Sequence, residues 1–256
     1  MIRLKTAAEI DTIARAGEIV SGTLTHVAAL ARPGVSTGEL DRQAEEFIRA
    51  HEGATPAFKG LYNFPGTLCT SVNHEVVHGI PSDLRELASG DLLGVDVGVQ
   101  VDGMYADAAV TLPIGETSPE AGRLLETTNR ALLAGIDAAV VGATIGDVGA
   151  AIQRVVDEVG YGIVRELVGH GVGHAPHEDP QVPNYGWPGT GPRLVAGLVI
   201  AIEPMVNLGS QEIRTLEDGW TVVTVDGSPS AHFEHTVAVT AQGPRILTGS
   251  RVRVAV

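Results

Sequence analysis

The sequence predicts an α+β fold of two similar halves related by a pseudo-twofold axis, and three observations support this. A long helix, a shorter amphipathic helix and then two strands occur twice along the chain in the same order. Matching glycines keep a nearly constant offset, since Gly142 follows Gly34 by 108 residues and Gly197 follows Gly90 by 107. A period this long is not that of a solenoid, so two facing halves are expected rather than a stack of repeats. Finally, an acidic residue interrupts an apolar strand at the matching place in each half, Asp96 in one and Glu203 in the other. The reading is one domain over residues 1–256, with halves of about 1–116 and 117–256.

The first helix is signalled by Thr6 and Glu9, a capping box, followed by Ile10, Ile13, Ile19, Val20, Leu24 and Val27 at helical spacing. Arg32-Pro33-Gly34 should end it. Ser36 with Glu39 opens a second helix carrying Leu40, Ala44, Phe47 and Ile48 on one face, and Gly53 closes it. After Gly90 come two strands, LLGVDVGV and YADAAVTLPIG. The second half starts with Ser118-Pro119-Glu120, where Pro119 suits a first helical position. VGATIGDVGAAIQRVVDEVG then repeats the layout of PGVSTGELDRQAEEFIRAHEG. LVIAIEPMV reads as one strand and HFEHTVAVT as the last, while NYGWPGTGPR reads as a loop over a site.

With 256 residues, 44% of them hydrophobic, the chain can bury a sizeable core. Neither a signal peptide nor a membrane span is expected, because no apolar run is long enough. Cys69 is the only cysteine, so no intramolecular disulfide can form, which agrees with a reducing compartment and a soluble cytoplasmic protein. A formal net charge of -14 argues against broad nucleic-acid binding, which needs clustered Lys and Arg.

Asp107 and Glu234 fall on the strands that follow Asp96 and Glu203. One ionised carboxylate in a buried strand is unfavourable unless paired or bound to metal, and a lone example is more often a strand end. Four at related positions are harder to explain that way. A pseudo-twofold axis would gather them between the halves, where divalent cations would offset their repulsion and bridging carboxylates could hold two ions roughly 3.5–4 Å apart. A neutral imidazole would complete the set, with His170, His174 and His177 in VGHGVGHAPHEDP as candidates. His170 and His174 share the spacing of a helical zinc pair, yet Gly169, Gly171 and Gly173 disfavour a helix and no Glu follows His170. Nor is this a dinucleotide fingerprint, since Pro176 stands where the third glycine is required.

Taken together, SVNHEVVHGIP, DVGVQVDGMYADAAVT, ELVGHGVGH with HEDPQVPNYG, AIEPMVN, EIRTLEDGWTV and FEHTVAVT resemble the bacterial methionine aminopeptidases of type I, almost from end to end. The resemblance implies a single catalytic domain of pita-bread fold around a dinuclear centre. It implies Asp96, Asp107, His170, Glu203 and Glu234 as metal ligands, with Asp107 and Glu234 bridging and Glu203 also moving protons. His78 resembles the histidine at the scissile nitrogen, and His177 the one at the carbonyl oxygen and developing oxyanion. Phe58, Tyr62, Phe64, Cys69 and Trp220 would wall a methionine pocket. Two positions depart from the family pattern: Pro176 replaces a common aromatic residue and His74 a common acidic one.

The implied reaction removes N-terminal methionine from peptides and nascent chains when the second residue is small. Its cofactors are two divalent ions from among cobalt, manganese, iron, nickel and zinc. Transient ribosome association and a monomeric state go with that reading, and no nucleic-acid or membrane partner is expected. An Xaa-Pro aminopeptidase or dipeptidase of the same fold would keep the five ligands, but such enzymes usually carry an extra N-terminal domain, and only 95 residues precede Asp96. Type II relatives carry a helical insertion between histidine and glutamate ligands, where here Glu203 follows His170 by 33 positions. A non-catalytic binder on this scaffold would be expected to have lost ligands, and all five are present.

Overall fold

The computed structural model describes residues 2–249, and its four long helices begin where side chains can cap them. In α1 (Ala7–Leu30), Thr6 and Glu9 form both arms of the expected capping box, satisfying amides that the helix itself cannot. Ser36 caps α2 (Thr37–Arg49) and Ser118 caps α3 (Pro119–Ala138), each accepting from the amide three residues on. Thr144 and Asp147 form a second capping box at α4 (Ile145–Asp157).

Helix α1 lays Ile13, Ala16, Val20, Leu24 and Val27, all essentially inaccessible, over a long hairpin of the strands Leu92–Val101 and Met104–Pro113. Each such aliphatic side chain contributes about 1.5–3 kcal/mol when fully buried. Leu68–Val72 and Ala54–Pro56 pair along the hairpin's free edge to complete a four-stranded sheet. In the second half a five-stranded sheet runs Gly243–Ile246, His235–Thr240, Val199–Ile202, Gly169–Gly171, Glu178–Val182. Helices α3 and α4 pack against each other, and α3 covers the strand Val199–Ile202. The architecture is the α+β pita-bread arrangement that the sequence leads one to expect.

The same contacts recur in both halves. Gly34 N donates to Leu87 O and Gly142 N to Leu194 O, while Gly38 N donates to Ser82 O and Gly146 N to Thr190 O. The halves meet along Met104–Pro113. Glu234 N donates to Ala109 O, and two buried threonines extend the seam: Asp107 N donates to Thr236 Oγ1, and His232 N to Thr111 Oγ1.

Two strands differ from expectation. LVIAIEPMV is Val199–Ile202 and Met205–Asn207, interrupted at Glu203-Pro204. HFEHTVAVT is Ser230–His232 and His235–Thr240, interrupted at Phe233-Glu234, and Gly243–Ile246 follows as a further strand. Pro204 has no N–H to give the ladder, and the interruptions face each other, because the register is the same on either side: Ile202 pairs with His235 and Met205 with His232.

Candidate active site

One cavity of about 290 Å³ gathers every residue singled out as a ligand, catalytic group or pocket wall. Its floor comes from both halves. Asp96 and Asp107 extend from the first-half hairpin, and Glu203 and Glu234 from the facing interruptions in the second half. His170 enters from the short strand Gly169–Gly171. The glycines on either side of it are required by close approach: a Cβ on Gly169 would lie 2.3 Å from Ala201 O, and one on Gly171 2.2 Å from Asp179 O.

The imidazole of His170 is oriented by the backbone. Its Nδ1 lies 3.0 Å from Gly171 O, and since a carbonyl only accepts, Nδ1 carries a proton and Nε2 is the atom turned to the carboxylates. That Nε2 is 3.4 Å from Glu203 Oε1 and 3.6 Å from Asp107 Oδ2. One ligand atom from each of Asp107, His170 and Glu234 lies within 4.8 Å of the others. Thr236 Oγ1 is 2.9 Å from Asp107 Oδ1, and Asn184 Nδ2 donates to Glu203 O at 3.1 Å, so neighbours outside the cluster hold two of its members.

Burial makes this cluster unfavourable as an assembly of anions. It pushes Asp96 up to about 8, with Asp107 and Glu203 adding to the effect and His232 opposing it. Burial likewise raises Glu203 to about 7, against the pull of His170 and with the repulsion of Asp107. Glu234 is raised well above its ordinary range by burial and then by Asp107, Glu203 and Asp96. Among the described residues no Lys or Arg lines the cavity to compensate, and Asp96 Oδ1 is buried without a hydrogen-bond partner. A hard, oxygen-rich donor set with one imidazole and an unpaired buried carboxylate oxygen fits divalent metal ions.

Phe58, Leu61, Phe64, Cys69, Val77 and Trp220 wall the apolar side. The Phe64 and Trp220 rings meet edge-on at 5.0 Å. Burial raises the Cys69 thiol well above its usual range, so it serves as an apolar wall and not as a nucleophile. Tyr62 stands at the mouth, 71% exposed, nearly parallel to His177 at 6.4 Å between ring centres. His177 in turn meets His170 edge-on at 4.6 Å. His78 has a left-handed backbone at φ 60, a conformation that costs a non-glycine residue about 1–3 kcal/mol and that concentrates at functional sites. Burial, then His232 and His177, lowers His78 to about 4, so the ring is neutral.

Some residues lie elsewhere. His174 points away from the cavity, with Nε2 2.7 Å from Glu9 Oε1, and neither His74 nor Pro176 lines the cavity. NYGWPGTGPR is not a loop over this site. It packs on the start of α4, where Gly146 N donates to Thr190 O, and leaves Trp187 80% exposed. Sequence reasoning missed His232, whose buried Nε2 is 3.6 Å from Glu203 Oε2 and has no hydrogen-bond partner. Its spacing of two from Glu234 in HFEH was the available signal, since alternate strand residues share a face. Met205, Leu167 and Val168 complete the lining and carry no comparable signal.

This architecture and donor set define a class, and a family model for metallopeptidase family M24 matches residues 11–241: the chain belongs to that family and is a hydrolase. Within it the likeness is to methionine aminopeptidases. The chain is 52% identical to the methionine aminopeptidase of Clostridium perfringens over 97% of its own length and 99% of the relative's. It is 48% identical to methionine aminopeptidase 1 of Bacillus subtilis, with the same coverage. The crystal structure of methionine aminopeptidase from Thermotoga maritima superposes with a TM-score of 0.96 at 44% identity, covering 98% of this chain and 100% of that one. An Xaa-Pro dipeptidase from Bacillus anthracis shares the fold at a TM-score of 0.80 and 23% identity, but this chain spans only 63% of it. Among the described residues, no helix is long and apolar enough to cross a membrane.

Proposed function

We propose that this chain is a type I methionine aminopeptidase that removes N-terminal methionine from peptides and from nascent chains in the cytoplasm when the second residue is small. The observation that carries the reading is the junction of two surfaces in one cavity: an apolar wall for an unbranched side chain and a floor of four buried carboxylates with His170. At about 290 Å³ the cavity sits near the lower end of ligand pockets, roughly 300–1,000 Å³, and so favours one side chain over an extended peptide.

Asp96, Asp107, His170, Glu203 and Glu234 would hold two divalent ions, with Asp107 and Glu234 shared between them. When bound, such ions polarise a carbonyl and acidify a water. Glu203 takes the proton of the attacking water on its carboxylate and delivers it to the amine nitrogen as the C–N bond breaks. His78, neutral and buried beside the apolar wall, hydrogen-bonds the scissile nitrogen. His177, at the mouth, donates to the carbonyl oxygen as negative charge develops there. The wall of Phe58, Phe64, Cys69 and Trp220 orients the methionine, with Tyr62 closing the outer side, and fixes the carbonyl over the floor.

The test is a release assay on Met-Ala-Ser, on Met-Val-Ser and on an Xaa-Pro peptide, with chelator and after restoring manganese, iron, cobalt, nickel or zinc in turn. Methionine release from Met-Ala-Ser alone, abolished by chelator and restored by metal, is expected. Release from the Xaa-Pro peptide would favour the dipeptidase reading, and chelator-resistant release would reject the metal reading.

A further inference from the structure

The His177 ring makes no hydrogen bond to any described residue, so its direction depends on the turn that carries it. That turn is anchored from outside the cavity. Glu178, the next residue, turns its side chain the other way: Oε1 accepts from His174 N at 2.6 Å and Ala175 N at 3.0 Å, and Oε2 is 2.7 Å from Lys5 Nζ. Lys5 Nζ also donates to Arg3 O, and Lys5 N donates to Gly197 O at 2.7 Å. The Lys5 side chain is wholly inaccessible. Its stem passes over Gly173, where an added Cβ would lie 2.6 Å from Lys5 Cε, and Gly173 O accepts from Tyr105 N on the other side. A second tether joins His174 Nε2 to Glu9, the capping residue of α1.

A pair buried this deeply adds little net stability, because taking both charges out of water offsets their attraction. Burial would raise the Glu178 carboxyl, but Lys5 and the two amides outweigh it and hold it below its usual range, so the pair is ionic. What it supplies is direction. Three groups from outside, Lys5 Nζ, Glu9 Oε1 and Tyr105 N, converge on a turn of six residues whose one cavity-facing ring has no hydrogen bond of its own.

We propose that Lys5 and Glu178 are positioning residues for His177: their buried ion pair fixes the turn 173–178 and thereby the angle at which the imidazole enters the cavity. This rests on the reading of His177 as the group at the scissile carbonyl oxygen. Lys5 touches neither substrate nor ligand, so it acts on the rate of the bond-breaking step without setting metal affinity or the fit of the methionine side chain.

The experiment compares Lys5→Met, Glu178→Gln and His177→Ala, singly and with Lys5→Met placed in the His177→Ala background. Lys5→Met should lower kcat about tenfold, the scale of a fraction of an ångström of misplacement. KM should stay within about twofold and metal content should match the parent, because wall and floor are untouched. Amide exchange at His174 and Ala175 should accelerate. Glu178→Gln keeps an acceptor for both amides and should show the same pattern more weakly, which secures the test if Lys5→Met folds poorly. In the His177→Ala background, Lys5→Met should lower kcat no further. A full tenfold loss in that background, an unchanged kcat in the single variants, or loss of metal would overturn the proposal alone. An unchanged kcat in His177→Ala would instead sink the role of His177, and the proposal with it.

Discussion

The two halves supply the same number of acidic groups to the floor by different backbone arrangements. In the first half Asp96 and Asp107 are staggered on one unbroken hairpin, Asp96 opposite Ala109 and Asp107 opposite Gly98. In the second half the continuing register sets Glu203 opposite Glu234, and there the ladder is interrupted on both strands. Like charges directly opposite each other destabilise an antiparallel pair, whereas diagonal neighbours are further apart. Staggered acids leave the sheet intact, and opposed ones come with an opening in it. The first half therefore sets its acids on a rigid, unbroken ladder, and the second sets them at an opening where Asn184 holds the Glu203 backbone.

The largest effect should come from the rigid half. Asp107→Ala removes the carboxylate proposed to be shared between two ions and should abolish nearly all turnover with loss of one ion, well beyond the roughly 10–100-fold typical of outer partners. Retention of two tightly held ions with normal activity would reject the ligand assignment. His177→Ala and His78→Ala should each lower kcat roughly 10²–10³-fold, the scale of losing one oxyanion donor, while metal content stays at the parent level. Metal analysis that finds an ion missing in either variant would collapse the distinction between floor and mouth.

The seam between the halves offers a finer comparison. Thr236 and Thr111 make similar paired hydrogen bonds across it, but only Thr236 reaches a carboxylate oxygen, Asp107 Oδ1. Thr236→Val and Thr111→Val should both destabilise the protein by about 1–3 kcal/mol through stranded backbone groups. Only Thr236→Val should weaken metal affinity, about 10–100-fold, because only that hydroxyl aims a proposed ligand. Equal affinities in calorimetric titration with manganese would show that Asp107 is aimed by the strand alone.

The legibility of the chain follows the same division. Features set by local chemistry were readable: the capping box at Thr6 and Glu9, the caps at Ser36, Ser118 and Thr144, and the unbroken hairpin whose apolar run marks burial on both faces. The acids in apolar strands pointed to a metal floor because burial makes each of them conspicuous. The breaks at Glu203 and Glu234 were not readable, since they arise from which residue lies opposite which, and Pro204 alone hinted at them. The aromatic wall and the roles of His78 and His177 came from family resemblance rather than from pattern. His232 went unread because a histidine in an apolar segment is ordinary until its distance to Glu203 is known.

The smallest effect tests whether the floor is a liability without cations. Asp96, Glu203 and Glu234 hold protons more tightly folded than unfolded, with Asp96 raised to about 8 and Glu203 to about 7. Stability from such groups is fully present below their unfolded range and is lost as pH rises through the folded value. Histidines oppose this at lower pH: His78 and His235 are lowered to about 4, chiefly by burial, so their contribution grows as pH rises toward the unfolded histidine value near 6.5. Between about 6.5 and 8 only the acids of the floor should dominate. Metal-free protein should therefore lose stability with rising pH in that window, by about 1.4 kcal/mol per pH unit for each proton by which the states differ. Saturating manganese should remove this slope, because ligands bind as anions and the floor then holds no more protons than the unfolded chain does. Asp96→Asn should flatten the metal-free slope without abolishing it, since Glu203 and Glu234 still face each other. Thermal midpoints of chelated protein that stay level or rise from pH 6.5 to 8 would show that the opposed carboxylates are relieved by something other than a cation.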